Sequence, residues 1–155
     1  MMLRKKVLGL GLAGLMSLSL AACGGVEEQS VTLNYEMEGV NMEYTLDAAG
    51  DVVHTITQVS SVDCSAYTED QVAMLQSSLE EYATVYDAYE GVEYSSSVEE
   101  GFMYETIKID VSEQDTISEL SEAGLLPIES DSAVTFISLE KTVENLESQG
   151  WVVQE

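Results

Sequence analysis

Val31-Thr32-Leu33-Asn34-Tyr35-Glu36-Met37 and Met42-Glu43-Tyr44-Thr45-Leu46 decide the fold. In each stretch, apolar side chains alternate with polar ones. A period of two places one set on each face of an extended chain, so both stretches predict half-buried strands. Gly39 to Asn41 and Asp47 to Asp51 supply the turns on either side of the second, the later one carrying Gly50. A third run, Val52 to Val62, is rich in Val, Ile and Thr. Three such runs joined by short turns predict an antiparallel meander.

The pattern then changes. Thr68-Glu69-Asp70-Gln71 has the form of a capping box, in which hydroxyl and amide side chains serve the first free backbone groups of a helix. Two acidic residues in that turn complement the helix dipole. Val72, Leu75, Leu79, Tyr82, Tyr86 and Tyr89 recur at three- and four-residue spacing as one apolar stripe, and Gly91 is the expected end. Val92 to Val98 and Phe102 to Val111 predict a hairpin turning near Glu99-Glu100-Gly101. Asp115-Thr116 opens a short helix, with Glu119 in the box position, Ile117 and Leu120 inward and Gly124 as its stop. Pro127 marks a loop, and Val134 to Ile137 a short extended piece. Ser138 caps a last helix with Leu139, Val143 and Leu146 inward, ended by Gly150, and Trp151-Val152-Val153 add an edge strand. Strand runs followed by segregated helices predict an α+β fold. Its antiparallel sheet is a three-stranded meander plus a hairpin and a C-terminal edge strand, packed by one long and two shorter helices.

Upstream of this domain stands a different kind of sequence. Arg4, Lys5 and Lys6 precede Val7 to Leu20, an apolar run of 14 residues, and Leu20-Ala21-Ala22-Cys23 follows as a lipobox. Basic, apolar and small-residue segments in that order are the anatomy of an export signal. A spanning helix needs about 20 residues, so the run is read as a signal rather than an anchor. The chain divides into a signal peptide at 1–22, a lipidated cysteine and flexible tether at 23–30, and a single domain at 31–155. No internal repeat is visible. About 130 residues suffice for one domain burying roughly two-thirds of its unfolded surface. Cys23 would carry the lipid. Two acyl chains hold a protein on a bilayer stably, where one holds it only marginally.

Charge narrows the partners. Arg4, Lys5 and Lys6 leave with the signal, so the mature chain sets Lys108 and Lys141 against 29 acidic residues, a net charge of −27. Such a body repels phosphates, which excludes nucleic acid as a partner. The acidity serves either solubility or a cationic or basic partner. After cleavage Cys64 is the only thiol, so no internal disulfide is available.

The export signal, lipobox, meander and long helix come in that order. They are followed by Gly91-Val92-Glu93-Tyr94, Ile107-Lys108-Ile109-Asp110 and Gly150-Trp151-Val152-Val153. Over nearly the whole mature chain this series resembles the YehR-like family of small bacterial lipoproteins. The resemblance implies an α+β domain on a lipid anchor at the extracytoplasmic face of the bacterial cell membrane, with no catalytic residue to carry over. The chain departs from the family in its extreme acidity and in Cys64.

The residues themselves argue against an enzyme. His54 is the only histidine, and Cys64 lies ten residues on in the same extended run, roughly 30 Å away at about 3.3 Å per residue. No nucleophile elbow is present. No cofactor is expected and no metal ligand set is assigned: zinc spacings are absent, and Asp47 to Asp51 lacks the alternating ligands of a calcium loop. Weak calcium binding by clustered carboxylates stays open, with Glu129-Ser130-Asp131 the loop of interest. Tyr82, Tyr86 and Tyr89 are the candidate interaction stripe, against the plainer reading of a helix face turned to the core. The expected role is that of a non-enzymatic binding or accessory module for a protein or envelope component. The alternative is a small-ligand or divalent-cation-binding lipoprotein associated with a transporter.

Overall fold

The computed structural model describes residues 25–126 and 135–155. The expected meander forms as β1 (Glu28–Met37), β2 (Val40–Ala49) and β3 (Val52–Asp63). β1 begins inside the stretch expected to be tether. Glu28, Gln29 and Ser30 already pair with Ala49, Ala48 and Asp47, and the Gly50 amide donates to the Glu27 carbonyl at 2.8 Å. Polar side chains at 28–30 hid a strand that is held by its backbone. Gly50 makes that closure possible: its φ is +58°, and a Cβ there would meet Val26 Cγ1 at 2.8 Å.

β3 carries an irregularity that shapes the core. Asp47 faces Thr55 while Ala48 faces Val53, so His54 is an extra residue in the strand. The bulge lets Val53 and Ile56, three residues apart, both point inward, and both are fully buried.

α1 (Glu69–Tyr86) starts with the expected capping box: the Gln71 amide donates to Thr68 Oγ1, and the Thr68 amide to Gln71 Oε1. It ends at Tyr86, five residues before Gly91. The reason is tertiary. The Tyr86 ring stacks on Tyr94 with centroids 5.3 Å apart and planes 11° apart. Continuing the helix to Gly91 would carry the chain about 7 Å past that contact. β4 (Val92–Glu99) and β5 (Phe102–Asp110) form the expected hairpin.

α2 (Gln114–Glu122) buries Ile117 and Leu120 as predicted. Its N-cap is Glu113, with no side-chain cap bond, so the box expected at Asp115-Thr116 does not form. Asp115 instead lies in the first turn, where its charge meets the dipole. β6 (Ile137–Ser138) leads into α3 (Leu139–Ser148), whose Lys141 amide donates to the capping Ser138 Oγ. The expected loop at Pro127 and the residue Val134 lie outside the described residues. β7 (Val152–Val153) closes the chain as the predicted edge strand, antiparallel to β1 at Leu33 and Asn34.

The sheet is larger than predicted. Among the described residues seven strands form it, in the order β4-β5-β3-β2-β1-β7, with β6 paired to the start of β3. All pairings are antiparallel, and the class is α+β. α3 is tied to the β2–β3 turn across 87 residues. Ser138 Oγ donates to Asp51 Oδ2 at 2.7 Å and the Glu140 amide to Asp51 Oδ1 at 2.8 Å. These two bonds, the backbone one first, hold the Asp51 carboxyl below its ordinary pKa.

Side chains on the inner face fall into rows across five strands. One row is apolar throughout: Val31, Leu46, Ile56, Ile109 and Val92. Ile117, Leu120, Leu146 and Trp151 complete the core over it.

Candidate functional site

The inner face changes character along the strands. Next to the apolar row comes a mixed one, Leu33, Tyr44, Gln58, Ile107 and Tyr94. Beyond it lies a row that is polar towards β4: Tyr35, Met42, Ser60, Glu105 and Ser96. Gln58 and Ser60 are buried, and Gln58 Nε2 donates to Ser60 Oγ at 3.1 Å. Tyr94 Oη donates to Glu105 Oε2 at 2.9 Å. α1 brings Tyr86 over Tyr94, while Trp151 stacks on Tyr44 at 4.4 Å and tilts against Tyr35 at 5.4 Å. The result is a set of phenols, an amide, hydroxyls and one carboxylate set into a sheet face. Such a set can orient a polar ligand by hydrogen bonds.

Burial and mutual proximity shift the phenols. Burial, with Tyr86 adding to it, pushes Tyr44 up to about 12. Burial and then the hydrogen bond to Glu105 raise Tyr94, and burial followed by the Glu105 charge raises Tyr86. A raised phenol is neutral in the folded chain when its unfolded counterpart has already ionised. Its contribution is therefore complete below the ordinary value of 10.0 and is lost as the pH rises from there towards 12. Alkaline titration followed at 295 nm should show these phenols ionising late and together with loss of the circular-dichroism signal. All eight tyrosines titrating near their ordinary value with the fold intact would contradict this.

The sequence-predicted stripe is divided by the structure. Tyr86 is buried, Tyr89 lies half-buried beyond the end of α1, and Tyr82 is 53 % exposed on the helix flank. The buried positions are Leu79 and Tyr86, with Val72, Leu75 and Ala83 half-buried around them. Tyr86 thus belongs to the core with Tyr89 packed against it, and Tyr82 is the exposed member of the three. Gln58 and Ser60 were missed, although they continue the inward alternation of β3 from Ile56. Glu105 carried no signal among so many acids.

His54 and Cys64 stand at opposite ends of β3. His54 Nε2 meets Glu28 Oε2 at 3.1 Å, and its Nδ1 meets Thr55 Oγ1 at 3.0 Å. Cys64 is buried, its thiol directed to the Val62 carbonyl at 3.5 Å. Among the described residues no group of three His, Cys, Asp or Glu side chains could hold a metal ion. No described helix is long and apolar enough to cross a membrane. Leu20, Ala21, Ala22, Cys23 and the Glu129-Ser130-Asp131 loop lie outside the described residues. On the outer face, a shallow depression of about 280 Å³ is lined by Glu36, Asn41, Ser61, Asp63 and Phe102, among others.

Comparison with known proteins gives the family. A family described as "Protein of unknown function (DUF1307)" matches residues 29–152. The NMR structure of E. coli YehR is similar in fold, with a TM-score of 0.63 at 17 % identity, covering 84 % of this chain and 93 % of that one. An NMR structure of a protein from Streptococcus pneumoniae TIGR4 gives a TM-score of 0.57 at 12 % identity, covering 83 % and 86 %. No curated protein matches the sequence. With the family match spanning the sheet from β1 to β7, the chain belongs to the DUF1307 family, the YehR-like proteins of unknown function.

Proposed function

We propose that the protein is a lipid-anchored, non-enzymatic binding module at the extracytoplasmic face of a bacterial membrane, where it engages a protein or envelope component. The observation that carries this reading is Leu20-Ala21-Ala22-Cys23 directly behind a basic and apolar export segment. A diacylated Cys23 holds the domain at the bilayer without any spanning helix. The distance along β3 between His54 and Cys64 supports a binding role over nucleophilic catalysis.

A second reading, a small-ligand module associated with a transporter, draws support from the polar row around Glu105 and Tyr94.

One experiment on two proteins tests the first reading. Wild type and Cys23→Ala are expressed in a bacterial host, fractionated, and crosslinked in the cell. Wild type is expected in the membrane fraction at mature size with one dominant crosslinked protein. Cys23→Ala is expected to remain at precursor size and to lose lipid labelling. Membrane retention of Cys23→Ala at mature size, without lipid labelling, would overturn the anchor, and a wild type without any crosslinked partner would overturn protein binding.

A further inference from the structure

β4 ends the sheet, and its backbone pairing can be read residue by residue. The Asp110 amide donates to the Gly91 carbonyl at 2.8 Å, which makes these directly opposed residues a hydrogen-bonded pair. In an antiparallel ladder such pairs alternate with non-bonded ones. Glu93, Ser95, Ser97 and Glu99 therefore bond Lys108, Thr106, Tyr104 and Phe102. The hairpin turn agrees with this count: Glu100 and Gly101, at φ 52° and 84°, form a two-residue loop closed by the Glu99–Phe102 pair. By the same alternation, Val92, Tyr94, Ser96 and Val98 turn their amides and carbonyls away from β5. Among the described residues no strand pairs with that side of β4.

Edge strands in monomeric proteins are commonly blunted by Pro, Lys, a bulge, shortness or a covering helix or loop. β4 has no Pro, Lys or bulge, and α1 reaches it on the inner face, where the Tyr86 ring stacks on Tyr94. The strand runs for eight residues in unbroken register, with Ser95-Ser96-Ser97 small at its centre. The opposite edge, β1, is covered at Leu33 and Asn34 by β7.

We infer that the β4 edge is a docking strand for an extended, basic segment of a partner protein, added to the sheet by backbone hydrogen bonds. This deepens the protein-binding reading proposed above and rests on it. Charge selects the occupant. β4 presents Glu93 and Glu99 on the outer face, with Lys108 opposite Glu93 at 3.8 Å. A second copy is disfavoured, because antiparallel pairing of two β4 edges about Ser96 sets Glu93 against Glu99, and each mature chain carries −27. On the inner face the polar row ends in Glu105 and Ser96. With strands about 4.8 Å apart, a docked backbone lies about 10 Å from β5. An inward Arg or Lys beside Ser96 can then cross that small side chain to reach the Glu105 carboxylate.

The test uses the full-length protein in detergent and a fluorescent eight-residue peptide of alternating Lys and Thr. Ser96→Pro removes an amide that points away from β5, so the fold tolerates it, and the charge is unchanged. Peptide binding, read by anisotropy, is expected to weaken at least tenfold in Ser96→Pro with circular dichroism unaltered. Peptide should slow hydrogen exchange at the amides of Val92, Tyr94, Ser96 and Val98 in the wild type, and a peptide N-methylated at alternate amides should not. Equal binding by wild type and Ser96→Pro means charge attraction alone and overturns the proposal. So does absence of peptide binding, or protection of the same amides that rises with protein concentration without peptide, which would mark a second copy. If Ser96→Pro does not fold, the N-methylated peptide and the exchange measurement on wild type decide. Failure here leaves the membrane anchor untouched, since fractionation reads that separately.

Discussion

Trp151→Ala is expected to cost about 3–5 kcal/mol of folding stability, the range for removing a large aromatic from a core. The indole is 9 % exposed. It stacks on Tyr44 with planes 13° apart and tilts against Tyr35, so one ring bridges the inner faces of β1 and β2. Its own amide donates to the Leu146 carbonyl at 3.1 Å, which joins the end of α3 to the start of β7. Alanine leaves a space bounded by two phenols and two strands, which cannot collapse without moving the sheet. Domains of this size are stable by about 5–15 kcal/mol, so the loss is a large share of the total. β7 should fray as well, since only Leu33, Asn34 and the Gln154-to-Thr32 bond hold it to β1. Urea denaturation of the variant measures the loss. Val152→Ala is the control, because Val152 is 62 % exposed and should change stability by less than about 0.5 kcal/mol. A Trp151→Ala loss as small as the control would refute the bridging role.

The sequence made the strands legible because one face of each had to be apolar. Val31, Leu33 and Tyr35 alternate for the same physical reason that Leu33 is buried. The two ends of α1 differ in legibility for a related reason. Thr68 and Gln71 act within one turn, so the start is written locally. The end is set by Tyr86 meeting Tyr94 on β4, a contact that no local pattern encodes. Spacing alone also misplaced Tyr82. Steps of three and four residues continue a stripe on paper, yet Leu79 and Tyr86 define the buried direction and leave Tyr82 on its flank. β6 is two residues long and exists through its pairing with Val52 and Val53, so its pattern carried no period. The order of strands follows from long-range pairing of β5 with β3, which composition does not reveal. Gln58 and Ser60 were open to reading, since polar residues on an inward register are uncommon. Glu105 was not, because its role comes from Tyr94 across the hairpin.

Ile109→Ala is expected to cost about 2–5 kcal/mol, and the same strand supplies the contrast that gives the number meaning. Ile109 is fully buried in the apolar row, between Ile56 on β3 and Val92 on β4, within the core cluster that holds Ile117, Leu120 and Leu146. Truncation removes three carbons from a place where neighbouring strands fix the spacing, so the cavity remains. Lys108 is its chain neighbour but points to the other face, where its side chain is half exposed and Glu93 is 3.8 Å away. Lys108→Ala should change stability by no more than about 0.5 kcal/mol, as exposed ion pairs generally do. Measured together by urea denaturation, the two variants should differ at least fourfold. Similar losses would mean that the outer face is also packed, contrary to the exposure of Lys108. The contrast also bears on function. If the fold's stability resides in the apolar row, then Ser96 and Glu105 at the far end of the inner face are not needed to hold the sheet together. They can then serve a docked strand at little expense to folding, which is the arrangement the β4 edge requires.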